Sequence, residues 1–153
     1  MTELAVGLTQ LGERLAALLE VLQAEEQALR TSDADGLRAL SPEKERQAAE
    51  VAAAWSALTG SLGLPSDAPP AAVAEAIGLR SDTASNTRWA EVRTLIDRTA
   101  MLNRLNGRLI EEGLRRTTAA MTVLSAAAGQ GEVYGADGLS QGLFTLHHDI
   151  GEA

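Results

Sequence analysis

The chain has 153 residues, no cysteine, two histidines and a formal net charge of −8, with 21 acidic against 13 basic side chains. That length suits one domain around one continuous core, and the missing cysteines exclude disulfides and thiolate metal sites and point to a reducing compartment. The acidic surplus suits nucleic-acid phosphates poorly; no basic n-region marks a secretory leader after Met1, and no apolar run nears the roughly 20 residues of a membrane span.

The first thirty residues carry the clearest pattern. Leu4, Leu8, Leu11, Leu15, Leu18, Leu22 and Leu29 alternate spacings of four and three, with Glu25 at the one missing step. This is a heptad seam, which an α-helix presents as a narrow apolar stripe. Glu25 has two readings: a long stem reaching water at the edge of the seam, or an interfacial polar group that fixes register.

Thr31-Ser32-Asp33-Ala34-Asp35-Gly36 reads as a turn, rich in side chains that bond their own backbone. Leu37 and Leu40 follow as a short apolar pair. Ser41-Pro42 then reads as the N-cap and first residue of a second helix, with Glu43 and Glu45 at its positive dipole end. Ala48, Val51, Trp55, Leu58 and Leu62 continue the four-three spacing, and Gly63 supplies the stop. Leu64 to Pro70 is a proline-punctuated loop. Pro70 opens a short helix over Ala71–Ile77, and Gly78 closes it.

Ser81 to Thr87 is a polar linker in which Ser85, Asn86 or Thr87 can cap a third long helix, from about Arg88 to Ala128. Trp89, Val92, Ile96, Ile110, Thr117 and Leu124 mark one edge of its apolar face. Met101, Leu102, Leu105 and Leu109 fall outside that edge, so the apolar arc widens to about 220°, roughly twice what one neighbour uses. The extra sector either meets a third helix or waits for a partner. Arg104, Arg108, Arg115 and Arg116 make this helix basic in the middle, as a solvated face balanced by Glu111 and Glu112 or as a steering surface.

From Gly129 onward the composition turns glycine-rich and acidic, and a flexible C-terminal tail is expected. Val133-Tyr134 and Leu143-Phe144-Thr145-Leu146 are apolar islands in it, either folding back on the bundle or serving as recognition elements. The fold class is therefore all-α: an elongated antiparallel helical bundle or coiled coil of three long helices plus a short one. The domains are a helical domain at 1–128 and a tail with a recognition segment at 129–153.

Catalytic templates fail on this sequence. No glycine-rich phosphate loop follows a strand, and neither histidine, His147 or His148, lies in a bundle helix where a di-metal or phosphotransfer site would need one. Glu25-Glu26 and Glu111-Glu112 are sequential rather than facing. No enzyme, metal or cofactor is expected.

Asn103-Arg104-Leu105-Asn106-Gly107-Arg108-Leu109-Ile110 is odd in mid-helix, because two Asn and a Gly cost about 1–2 kcal/mol relative to Ala. That run, followed by Tyr134-Gly135-Ala136-Asp137-Gly138, resembles the FlgN family of flagellar type III export chaperones. The Glu in the leading Leu seam, the turn with Asp33-Ala34-Asp35, and Arg88-Trp89 at the start of the long helix also match that pattern. The resemblance covers essentially the whole chain in order and is most specific from Arg88 to Gly138; Leu143–Ala153 lies outside it.

The resemblance implies a cytoplasmic chaperone that holds the C-terminal helices of hook-associated (hook–filament junction) proteins and presents them to the export gate. It places client binding on Leu105, Leu109, Leu114, Met121 and Leu124, and docking to the gate's cytoplasmic domain on Tyr134, with Gly135 and Asp137 beside it. The free chain is expected as a monomer or weak homodimer, without nucleic acid or stable membrane insertion. The alternative is a structural coiled-coil adaptor that self-associates through the Leu4–Leu29 seam.

Overall fold

A computed structural model describes residues 2–80 and 82–134, with side chains as far as Gly129. Among these residues the chain is all-α: α1 (Glu3–Arg30), α2 (Ala34–Ser61), α3 (Pro70–Gly78) and α4 (Thr83–Tyr134). It divides into two compact units, Met1–Ile110 and Glu111–Ala153.

In the first unit α1 is the central element. The Thr2 hydroxyl accepts the Ala5 N–H at 3.3 Å to cap it, and Leu4, Leu8, Leu11, Leu15, Leu18 and Leu22 are all buried. α2 runs antiparallel to it: Gly7 lies against Leu58, Arg14 pairs with Glu50 at 2.6 Å, and Glu25 pairs with Lys44 at 2.9 Å, so one numbering rises as the other falls. α4 runs parallel to α1. A Cβ at Gly12 would sit 3.7 Å from Val92, and further along the Asn106 amide reaches the Leu22 carbonyl at 2.9 Å. The predicted antiparallel packing thus holds for α1 with α2, whereas the long helix lies the other way.

Two apolar clusters fill this unit. Leu4 to Leu15 pack with Leu58, Trp89 and Val92, and α3 inserts Val73 and Ile77 among them. Further along, Leu18, Leu19 and Leu22 pack with Leu102 and with half-buried Leu95 and Leu105. The Trp55 and Trp89 rings join α2 to α4 at 6.3 Å between centroids.

Helix ends account for the differences from the sequence reading. α1 ends in a Schellman turn: Ser32 is left-handed at φ 55° and the Asp33 N–H donates to the Ala28 carbonyl at 2.9 Å. Asp33 then caps α2 by accepting the Gly36 N–H at 2.9 Å, so α2 begins at Ala34 and not at Ser41-Pro42. Pro42 lies inside the helix. The backbone donor it lacks would have served the Arg38 carbonyl, and Arg38 is exposed, so water can replace it. Gly63, at φ 74°, ends α2 as expected, with the Leu64 N–H on the Thr59 carbonyl at 2.9 Å.

α4 starts at Thr83, earlier than Arg88, because Asp82 is its cap in place of Ser85, Asn86 or Thr87. Its carboxylate accepts the Ala84 N–H at 3.1 Å, the Ser85 N–H at 3.3 Å and the Ser85 hydroxyl. These bonds, that of the Ser85 hydroxyl first, hold the carboxyl below its ordinary value of 3.8. α4 also passes Ala128 and runs through Gly129 and Gly131 to Tyr134. Extending a formed helix adds one bond per residue fixed, which offsets the glycines' low propensity.

The second unit is described as the α4 segment from Glu111 to Tyr134. Every residue of it from Glu111 to Gly129 is exposed. The remainder of the expected tail, Gly135–Ala153, lies outside the described residues.

Candidate functional site

The five residues singled out on the long helix divide between the two units. In the first, Leu105 is half-buried and packs against the Leu18–Leu22 cluster, and Leu109 is half-buried. The widened arc divides between core and solvent. Leu102 enters the core, whereas Met101, one residue earlier, points to solvent.

In the second unit Leu114, Met121 and Leu124 are 63%, 61% and 64% exposed. Their spacings of seven and three place them on one side of the helix. Thr117 and Thr118 adjoin them, and each hydroxyl donates to the carbonyl four residues back at 3.0 Å, leaving methyl groups outermost. The result is an apolar stripe with its polar groups already satisfied. Such a surface gains free energy by covering itself with another apolar stripe, and a helix is the partner whose side-chain period matches. Arg116 pairs with Glu112 on the same segment, so part of the basic face is balanced locally. Tyr134 is the last residue of α4, its side chain beyond those described, and Gly135 and Asp137 lie outside the described residues.

Two features of the first unit stand out, one deciding between the readings of Glu25 and one that the sequence did not suggest. Glu25 is only 9% exposed and does not reach out to water: its carboxylate accepts from Lys44 Nζ at 2.9 and 3.1 Å and from Asn106 Nδ2 at 2.7 Å. One acidic group thereby ties three helices together, which is the interfacial reading of Glu25. It also explains why a helix-unfriendly Asn stands at 106. The second is an apolar groove of about 750 Å³ floored by Leu11, Leu15 and Leu18 and walled by Trp55 and Ile96. The sequence signal for the first was the heptad break at Glu25 and the paired Asn, but the meeting of Glu25 and Asn106 across 81 residues needed the fold, and no sequence signal marked the groove.

Among the described residues no three His, Cys, Asp or Glu side chains converge as a metal site requires, and no helix is long and apolar enough to cross a membrane. Compared with known proteins, residues 1–142 match the family model described as FlgN protein. No curated protein and no solved structure matches the chain.

Proposed function

The chain belongs to the FlgN family, whose members are flagellar export chaperones and not enzymes, and we propose that it holds the C-terminal helices of hook–filament junction proteins and delivers them to the cytoplasmic domain of the flagellar type III export gate. The observation that carries client holding is the exposed stripe of Leu114, Met121 and Leu124. An amphipathic client helix laid along it buries apolar surface on both sides, at roughly 25 cal/mol for each Å² removed from water. Leu105 and Leu109, half-buried in the first unit, belong to the proposed client set as well. Tyr134, with Gly135 and Asp137, is the proposed gate contact. The working place is the cytoplasm, which accords with the absence of cysteine, and the free chain is a monomer or weak homodimer.

The adaptor reading finds no support in the geometry. Its leucine seam lies inside the first unit, with Leu8 and Leu11 fully buried, and is not available to a second chain. The test is a calorimetric titration of this protein with the C-terminal segment of a hook-associated protein. Saturable one-to-one binding with a negative heat-capacity change is expected. An absence of binding at high micromolar concentrations, together with a stable self-assembled oligomer, would overturn the proposal.

A further inference from the structure

We infer that the Glu25–Asn106 pair, with Lys44, is a register lock that selects one alignment of α4 against α1. The seam that α1 offers is uniform: Leu4, Leu8, Leu11, Leu15, Leu18 and Leu22 repeat the same side chain at heptad spacing. Apolar packing along such a seam rewards interdigitation but discriminates weakly between alignments one heptad apart, a slide of about 10 Å along a helix. The mixed α4 face of Trp89, Val92, Leu95 and Leu102 adds some preference, but the α1 seam by itself does not choose among them.

The polar groups supply the choice. Asn106 is fully buried, and its amide donates to both the Leu22 carbonyl and the Glu25 carboxylate. Shifting α4 by seven residues in either direction carries that amide to the level of Leu15 or Leu29, away from Glu25. Glu25 would then face Thr99 or Gly113, neither of which offers an amide. A buried amide and a buried carboxylate would each lose a partner, a penalty that leucines cannot make up. Lys44, approaching from α2, fixes the carboxylate from the third side, so that the antiparallel and parallel neighbours of α1 are indexed to the same atom pair. A single buried polar group that specifies helix register is a known use of such residues.

The cysteine-free sequence makes the test direct. Gly12→Cys combined with Val92→Cys reports the native alignment, since a Cβ at Gly12 lies 3.7 Å from a Val92 methyl. Gly12→Cys combined with Ser85→Cys or with Thr99→Cys reports the two slipped alignments. Each pair is oxidised in the full chain, with and without Glu25→Leu and Asn106→Leu together. The otherwise native sequence is expected to close the Gly12–Val92 pair at least tenfold more readily than either slipped pair. With both leucines present, a slipped pair should close within about threefold of the native one while circular dichroism shows helicity retained. The inference is overturned if the doubly substituted chain still closes only the native pair, because packing alone then sets register. It is equally overturned if that chain loses its helicity, because the pair then supports the bundle rather than choosing its alignment.

Discussion

Leu15 and Asp82 represent the two ways single residues define this fold, one by volume and one by hydrogen bonding. Leu15 is 4% exposed between Leu11 and Leu18, so Leu15→Ala deletes buried methyl groups and leaves a void. The expected cost is about 2–5 kcal/mol, a melting temperature lower by roughly 5–15 °C, measured by circular dichroism; an unchanged melting temperature would remove Leu15 from the core. Asp82 acts through its charge. Its folded pKa lies below the ordinary 3.8 because the Ser85 hydroxyl and then the Ala84 N–H favour the carboxylate. A depressed folded value means that the capping contribution is complete above 3.8 and lost as pH falls through the lower folded value. Asp82→Asn keeps an acceptor without a titration. The protection of the Ala84 and Ser85 amides, taken relative to their intrinsic exchange rates at each pH, should therefore fall on acidification below about pH 4 in the parent and much less in Asp82→Asn; equal acid responses would show that another group caps α4.

At the scale of helices, the apolar stripes were readable, as were the Gly63 stop of α2 and the bounds of α3, but the starts of α2 and α4 were not. The alternation of leucines in α1 and the spacing of Val51, Trp55 and Leu58 in α2 correspond directly to buried or half-buried faces, because a 3.6-residue period is set by local geometry alone. Capping was harder to read, since several adjacent residues could each serve. Asp33 won over Ser41, and Asp82 over Ser85, by placing a carboxylate on backbone N–H groups two or three residues ahead. Glu25 and Asn106 were conspicuous individually, but no local rule brings residues that far apart into one hydrogen bond. The exposed stripe supplies the prediction at this scale. Met121→Asp changes a side chain that is 61% exposed, so stability should fall by less than about 1 kcal/mol. Client affinity should fall at least tenfold, because a carboxylate pressed into an apolar contact loses hydration without gaining a partner. Leu109→Asp should weaken binding too, at a larger cost in stability, because Leu109 is half-buried. If both variants bind the junction-protein segment as the parent does, the client surface lies elsewhere, with the Leu11–Trp55 groove the next place to look.

For the whole molecule the proposal separates holding a client from handing it over, and Tyr134 is where the two can be told apart. The first unit spends its leucines on its own core, while the second leaves Leu114, Met121 and Leu124 uncovered; the chain's only tyrosine then closes α4, ahead of Gly135-Ala136-Asp137-Gly138. Tyrosine suits a docking contact because it can bury a large ring while its hydroxyl keeps a hydrogen bond, and such aromatic anchors dominate many interfaces. Ten residues and about 15 Å of helix rise separate it from Leu124, so removing its ring leaves the client stripe chemically intact. Tyr134→Ala should therefore preserve helicity and client affinity while weakening association with the gate's cytoplasmic domain by about 2 kcal/mol, close to thirtyfold in Kd. Asp137→Ala should act more mildly, as expected of a charge at the rim of a contact. The measurement is a titration of the client-loaded protein against the gate domain, parent beside each variant. Equal affinities for the gate would show that Tyr134 does not anchor the contact. A Tyr134→Ala protein that releases its client would show instead that holding and delivery share one surface.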